Sequence, residues 1–149
     1  EFYNAEAPIY TSPRFLPPAK VEKCHVKDTI ISHGASLANC SVEESIVGLR
    51  SRIETGAKIK RTMIIGADYY ESEEKRSAII AAGGVPVGIG ANTVIENAII
   101  DKNARVGKNC VITNKDGIED LADEERGVFI RNGIVTILRN ATIPDGTVI

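Results

Sequence analysis

VPVGIGANTVIENAIIDKNARVGKNCVI, residues Val85 to Ile112, carries aliphatic residues at Ile89, Val94, Ile100, Val106 and Ile112, in steps of 5, 6, 6 and 6. Neither the 3.6-residue period of a helix nor plain two-residue alternation produces this rhythm. It is already present upstream at Ile31, Leu37, Val42, Val47, Ile53, Ile59 and Ile65, and it returns at Ile137 and Ile143. Many of these positions have glycine beside them, as in Val47-Gly48, Ile65-Gly66, Ile89-Gly90 and Val106-Gly107, while Asn39, Asn92 and Asn109 recur between them. Glycine and asparagine tolerate the backbone angles of a tight corner. Each six-residue unit therefore reads as a short strand and a turn. Such a unit cannot bury its one large aliphatic side chain alone, so units must wind into coils that stack around a shared interior. The expected fold is all-β: a parallel β-helix of hexapeptide repeats, triangular in section, with three hexads to a coil and about five coils.

Composition agrees with strands. The chain has 149 residues, enough for one ordinary core, and it holds 21 Ile and 12 Val against 5 Leu. β-branched side chains suit a pleated surface and lose rotamer freedom in a helix. Charged residues make up 26% with a net charge of -2, which points away from nucleic acid, and no apolar run approaches the ~20 residues of a membrane span. Cys24, Cys40 and Cys110 form no CxxC pair, so buried thiols in a reducing compartment are expected rather than a disulfide scaffold or a zinc site.

Three segments depart from the rhythm. Residues 1–20 hold Pro8, Pro13, Pro17 and Pro18 and four of the seven aromatic residues, Phe2, Tyr3, Tyr10 and Phe15. They read as an extended lead-in from an upstream domain, lying along another surface, ahead of a β-helix over 21–149. The abrupt opening Glu1-Phe2-Tyr3 reads as a segment cut from a longer protein. Residues 67–86 combine a charged stretch from Ser72 with Ala-rich residues and Gly83-Gly84, which predicts a short helix with a glycine stop. Residues 113–133, with Asp116-Gly117, an acidic run and Gly127, read as a second excursion. Loops leaving a rigid scaffold are favoured places for function.

Candidate chemistry is sparse. His33, at the corner Ile31-Ser32-His33-Gly34, is where a β-helix acyltransferase would carry a general base, but no second catalytic group is specified nearby. The carboxylates of the two insertions, among them Glu71 and Glu73, match no ligand loop and are read as keeping those segments solvated. Arg50, Arg52, Lys58, Lys60 and Arg61 form a basic set that solubility explains. The glycines of GGVPVGIGAN (Gly83 to Asn92) lack the strand and helix context of a nucleotide loop. Lys102, Arg105, Lys115, Arg131 and Arg139 are more informative. They flank the repeat or its second insertion, where a stiff scaffold could present them to a phosphorylated small molecule.

The wording of the chain goes further than its period. IYTSPRFLPPAKV (Ile9 to Val21), SIVGLRSRIETGAKI (Ser45 to Ile59), IIGADYYE (Ile64 to Glu71), AIIDKNARVGKN (Ala98 to Asn109), ITNKDGI (Ile112 to Ile118) and IRNGIVTILRNATIPDGTVI (Ile130 to Ile149) resemble the carboxy-terminal region of plant-type glucose-1-phosphate adenylyltransferase, or ADP-glucose pyrophosphorylase. The resemblance covers essentially the whole chain. It implies a left-handed β-helix, a hand the spacing does not fix. It also implies an upstream catalytic domain that makes ADP-glucose and pyrophosphate from ATP and glucose 1-phosphate with magnesium, for starch synthesis in plastids. No cofactor is then expected in this domain, which alone would be inactive. Its role would be regulation by 3-phosphoglycerate and phosphate, and assembly into a heterotetramer of small and large subunits. The relatives' effector lysines fall on Lys102 in AIIDKNA and on Arg139 in TILRNA, where Arg replaces the Lys of many relatives; Lys115 in TNKDG matches a further basic position. Two rivals share the hexads: a trimeric acyltransferase using coenzyme A with His33 as base, and a purely structural module.

Overall fold

The structure is a computed structural model and describes residues 16–149, so most of the Pro-rich lead-in, including its four aromatic residues, lies outside the described residues. Three sheets form the walls of a prism. Sheet A stacks Lys20–Glu22, Ser36–Ala38, Arg52–Ile53, Gly88–Ile89, Arg105–Val106 and Thr142–Ile143. Sheet B stacks His25–Lys27, Ser41–Glu43, Lys58–Lys60, Val94–Glu96 and Val111–Ile112. Sheet C stacks Ile30–Ile31, Ile46–Leu49, Met63–Gly66, Ala98–Ile100 and Ile134–Ile137, and continues into Val128–Arg131 and Asp120–Asp123. The chain visits A, B and C in turn, so pairing through the coils is parallel. The fold is a left-handed parallel β-helix.

Stacking brings equivalent side chains into columns. Leu37, Ile53, Ile89, Val106 and Ile143 line the interior from sheet A, Val42, Ile59, Ile95 and Ile112 from sheet B, and Val47, Ile64, Ile100 and Ile137 from sheet C; all are buried. Each such burial contributes roughly 1.5–3 kcal/mol relative to exposure. The polar backbone at the corners is satisfied locally. Ser45 Oγ accepts the N–H of Thr62 and donates to the Glu43 carbonyl, and Thr93 Oγ1 accepts from Cys110 and donates to Gly107.

The corners explain why the rhythm alternates between five and six. The turns between the stacked core positions each place one residue in the left-handed region, including Asn39, Glu44, Arg50, Gly56, Arg61, Asn92, Asn97, Asn103 and Asn109. Asn tolerates this conformation better than most side chains, because its short amide can bond locally. The corner from sheet B to sheet C is tight in every coil, since Val42 to Val47, Ile59 to Ile64 and Ile95 to Ile100 are all five-residue steps; the corner from sheet A to sheet B takes five residues only from Leu37 to Val42 and six elsewhere.

That detail corrects two positions in the expected series. Ile64 and Ile95 face the interior, rather than Ile65 and Val94. Both sites present adjacent aliphatic residues, and a shift of one residue reverses the face of a strand. Pairing of Val47 with Ile64 and of Ile59 with Ile95 sets the register.

The first insertion contains the expected helix, α1, at Glu73–Ala81. Ser72 caps it by accepting the Lys75 N–H, Glu73 and Glu74 sit in its positive first turn, and Gly83 ends it at φ 83. The second insertion is more regular than expected. Asp120–Asp123 and Val128–Arg131 form an antiparallel hairpin, and Val128–Arg131 also runs antiparallel to Ile134–Ile137. Val128 and Ile130 thereby close the interior at the level where a sixth strand of sheet C would lie. Ile149 packs partly against the core and donates its N–H to the Val111 carbonyl.

Candidate functional site

Function is best sought on the edge where sheet C turns into sheet A, because this edge carries the first insertion and two of the three predicted effector residues. Lys102 and Arg139 follow Ile100 and Ile137 by two residues, and those isoleucines are paired partners in adjacent strands. The two cations therefore stand in register, one coil (~4.8 Å of backbone) apart. Asn140 N–H donates to the Lys102 carbonyl at 3.0 Å and locks the two corners together. Arg139 is exposed and has no hydrogen-bond or ion-pair partner among the described residues.

Lys102 is engaged. Its Nζ lies 3.2 Å from Asp68 Oδ1, and its own backbone N–H donates to Asp101 Oδ1 at 2.6 Å. Asn103, held in the left-handed region, grips Asp68 twice: Asn103 Nδ2 donates to Asp68 Oδ2 at 3.1 Å, and the Asp68 N–H donates to Asn103 Oδ1 at 2.9 Å. Hydrogen bonds from Asn103 and Lys102, with the nearby charges of Lys102 and Arg139, hold the Asp68 carboxyl below the usual carboxylate range.

Lys115 is exposed beside Asn114, at the turn leaving sheet B. The structure thus brings Lys102 and Arg139 to one edge of the prism and places Lys115 on another.

Several groups read as solvating are structural instead. The Glu71 side chain is only 1% exposed; it accepts from Arg105 Nη1 at 3.0 Å and from the Val87 N–H at 2.7 Å. Arg105, a candidate phosphate ligand by sequence, also donates to the Val85 carbonyl and is consumed by this contact. Arg52 pairs with Glu54 and Glu73, and the nearly buried Arg76 of α1 donates to Glu54 at 2.7 Å. Burial pulls the Arg52 pKa down, but its two carboxylate partners more than offset this; burial and Arg52 together leave Arg76 below its usual value. These pairs rivet the insertion to sheet A. Sequence missed them because only the fold brings Glu71 to Arg105, 34 positions away.

The rival chemistry finds less support in the geometry. His33 is exposed at its corner and has no side-chain hydrogen bond among the described residues, whereas His25 contacts Glu43 at 3.0 Å. Among the described residues no cluster of three or more His, Cys, Asp or Glu side chains could hold a metal ion, and no helix is long and apolar enough to cross a membrane.

Coils of hexads, an inserted helix at one edge and paired cations beside it define a hexapeptide-repeat β-helix domain that carries charged side chains on rigid corners. Residues 14–148 match the family described as the GLGC left-handed parallel beta-helix domain. The chain belongs to this family, the β-helix domain of glucose-1-phosphate adenylyltransferase, also called ADP-glucose pyrophosphorylase. In this family the domain is part of an oligomeric enzyme whose chemistry resides in a separate catalytic domain.

Proposed function

We propose that this domain regulates and assembles a plastid ADP-glucose pyrophosphorylase serving starch synthesis, with 3-phosphoglycerate as activator and phosphate as inhibitor. The observation that carries the reading is the in-register pair Lys102 and Arg139, two cations on successive rigid corners. Arg offers a forked contact to phosphate and Lys a point charge, and the bound anion would neutralise both. Lys115, on another edge, would act separately from this pair. Magnesium would serve the catalytic domain.

The assembly half of the reading is supported by the outer face of sheet C. Ile30, Ile46, Met63 and Ile99 are partners in successive strands and form an exposed aliphatic column, with Ile30 65% exposed. A contiguous apolar stripe of this kind suits contact with a catalytic domain or with the small and large subunits of a heterotetramer.

The test is kinetic. In the assembled enzyme, Lys102→Ala and Arg139→Ala should each raise the 3-phosphoglycerate concentration needed for half-maximal activation by about tenfold, as expected for loss of a charged hydrogen bond. Unchanged activation in both variants would defeat the reading in favour of a structural module. Acetyl coenzyme A turnover abolished by His33→Ala would instead establish the acyltransferase.

A further inference from the structure

We propose that Asp68 is a built-in competitor for the anion site at Lys102 and Arg139, an inference that rests on the regulatory reading above. Its carboxylate already does what a phosphate oxygen would do. It lies 3.2 Å from Lys102 Nζ and feels the charge of Arg139. It is also aimed there by construction: the two-way clamp with Asn103 fixes both its carboxylate and its backbone N–H at the corner where Lys102 emerges. Asp101, bonded to the Lys102 backbone N–H, adds a second carboxylate at the corner. Asp68 and Asp101 thus offset the positive charge that Lys102 and Arg139 would otherwise present to an anion, while Arg50, on the coil below, is held by the Ala67 carbonyl.

A phosphate or phosphorylated carboxylate must therefore displace Asp68 from Lys102 or approach against its charge. Displacement breaks the Asn103 Nδ2 bond to the carboxylate but leaves the Asp68 N–H bond to Asn103 in place, and the Asp68 side chain, 57% exposed, is then received by water, whereas the coil beneath Lys102 is fixed by its ladder. Asp68 also belongs to the first insertion, whose remainder is riveted to sheet A through Glu71, Arg76 and Glu73. Release of Asp68 is thus the local event by which anion binding at the edge is felt by the insertion.

The experiment compares wild type, Asp68→Asn, Asp68→Ser and Lys102→Ala in the assembled enzyme, with inorganic phosphate and 3-phosphoglycerate as probes. Half-saturating concentrations are measured at low and high salt, alongside thermal midpoints. Asn keeps the shape and both bonds to Asn103 while removing the charge. Both Asp68 variants should lower the half-saturating concentration about three- to tenfold at low salt, with the gain shrinking as salt screens it. Unchanged or weaker binding in the Asp68 variants, with Lys102→Ala still impaired, would overturn the competitor role and leave the regulatory site standing. If Lys102→Ala also behaves as wild type, the site itself falls and the inference with it. A gain that does not respond to salt would likewise overturn it, since a steric change rather than a removed charge would then be responsible.

Discussion

Asn140 donates its backbone N–H to the Lys102 carbonyl at 3.0 Å, and this one bond ties the corner that presents Lys102 to the corner that presents Arg139. The spacing of the two side-chain bases is thus fixed by a parallel ladder rather than by a loop, so the proposed anion would have to order the side chains but not the backbone that carries them.

The register of the interior can be tested at the doubled aliphatic positions. Ile95→Ala should cost about 3 kcal/mol of unfolding free energy, because it empties a fully buried site, while Val94→Ala should cost about 1 kcal/mol or less. Urea denaturation of the two variants checks this. Equal losses would show that the register is wrong by one residue.

Gly48 is required by a neighbour rather than by its own backbone angle. A Cβ there would lie about 2.0 Å from the carbonyl oxygen of Ile65 in the next coil, a backbone atom that cannot swing away. Gly48→Ala should therefore destabilise by at least about 2 kcal/mol, whereas Gly117→Ala, with open space around it, should show only the strain of its positive φ, about 1 kcal/mol. Thermal melts of both variants make the comparison.

The ion pairs under the insertion should be costly to break from one side. Arg105→Met leaves the Glu71 carboxylate, almost wholly buried, with only the Val87 N–H, and should cost about 2–4 kcal/mol. Glu71→Gln in the same background should recover part of that loss, because it removes the unpaired charge. A double-mutant cycle by chemical denaturation reads the coupling.

Acid should weaken the fold through Asp68 and Glu73, whose carboxyls are held below their usual range by Asn103 and Lys102 and by Arg52 respectively. A depressed carboxyl contributes stability that is complete above its unfolded value near ~4 and is lost as pH falls through the lower folded value. The thermal midpoint should hold between pH 7 and pH 5 as far as these groups are concerned, then fall below ~4. Asp68→Asn with Glu73→Gln should flatten that acid limb.

The thiols give the opposite limb. Burial, with the Cys24 thiol 3.4 Å away, pushes Cys40 from 9.0 up to about 12. Its contribution is complete below the unfolded value and is lost as pH rises towards the folded one, so stability should decline above pH ~9 and Cys40→Ala should flatten the decline. Under native conditions iodoacetamide should label the half-buried Cys24 well before Cys40 and Cys110, which are both buried.

Much of this architecture was legible because the repeat is written in a narrow set of residues, with Ile or Val at most wall positions and Gly or Asn at most corners. What was not legible follows from what lies outside that code. At Ile64-Ile65 and Val94-Ile95 two adjacent aliphatics fit the same rhythm, and only pairing with neighbouring coils chooses between them. The hairpin in the second insertion had a usable signal: Asn132-Gly133, at φ 52 and 79, between the apolar stretches VFIR and IVTI. The acidic run beside it, which reads as a loop, masks that signal. Glu71, Arg76 and Asp68 carried no signal at all, since their partners are distant in sequence and become neighbours only through the winding of the coil.

The most direct measurement of the central claim is a double-mutant cycle between Lys102 and Arg139 on 3-phosphoglycerate activation of the assembled enzyme. If both side chains hold one anion, the double alanine variant should lose much less than the product of the two single losses, because the second removal acts on a site already empty. Losses that multiply independently, or variants that activate as wild type does, would contradict the account.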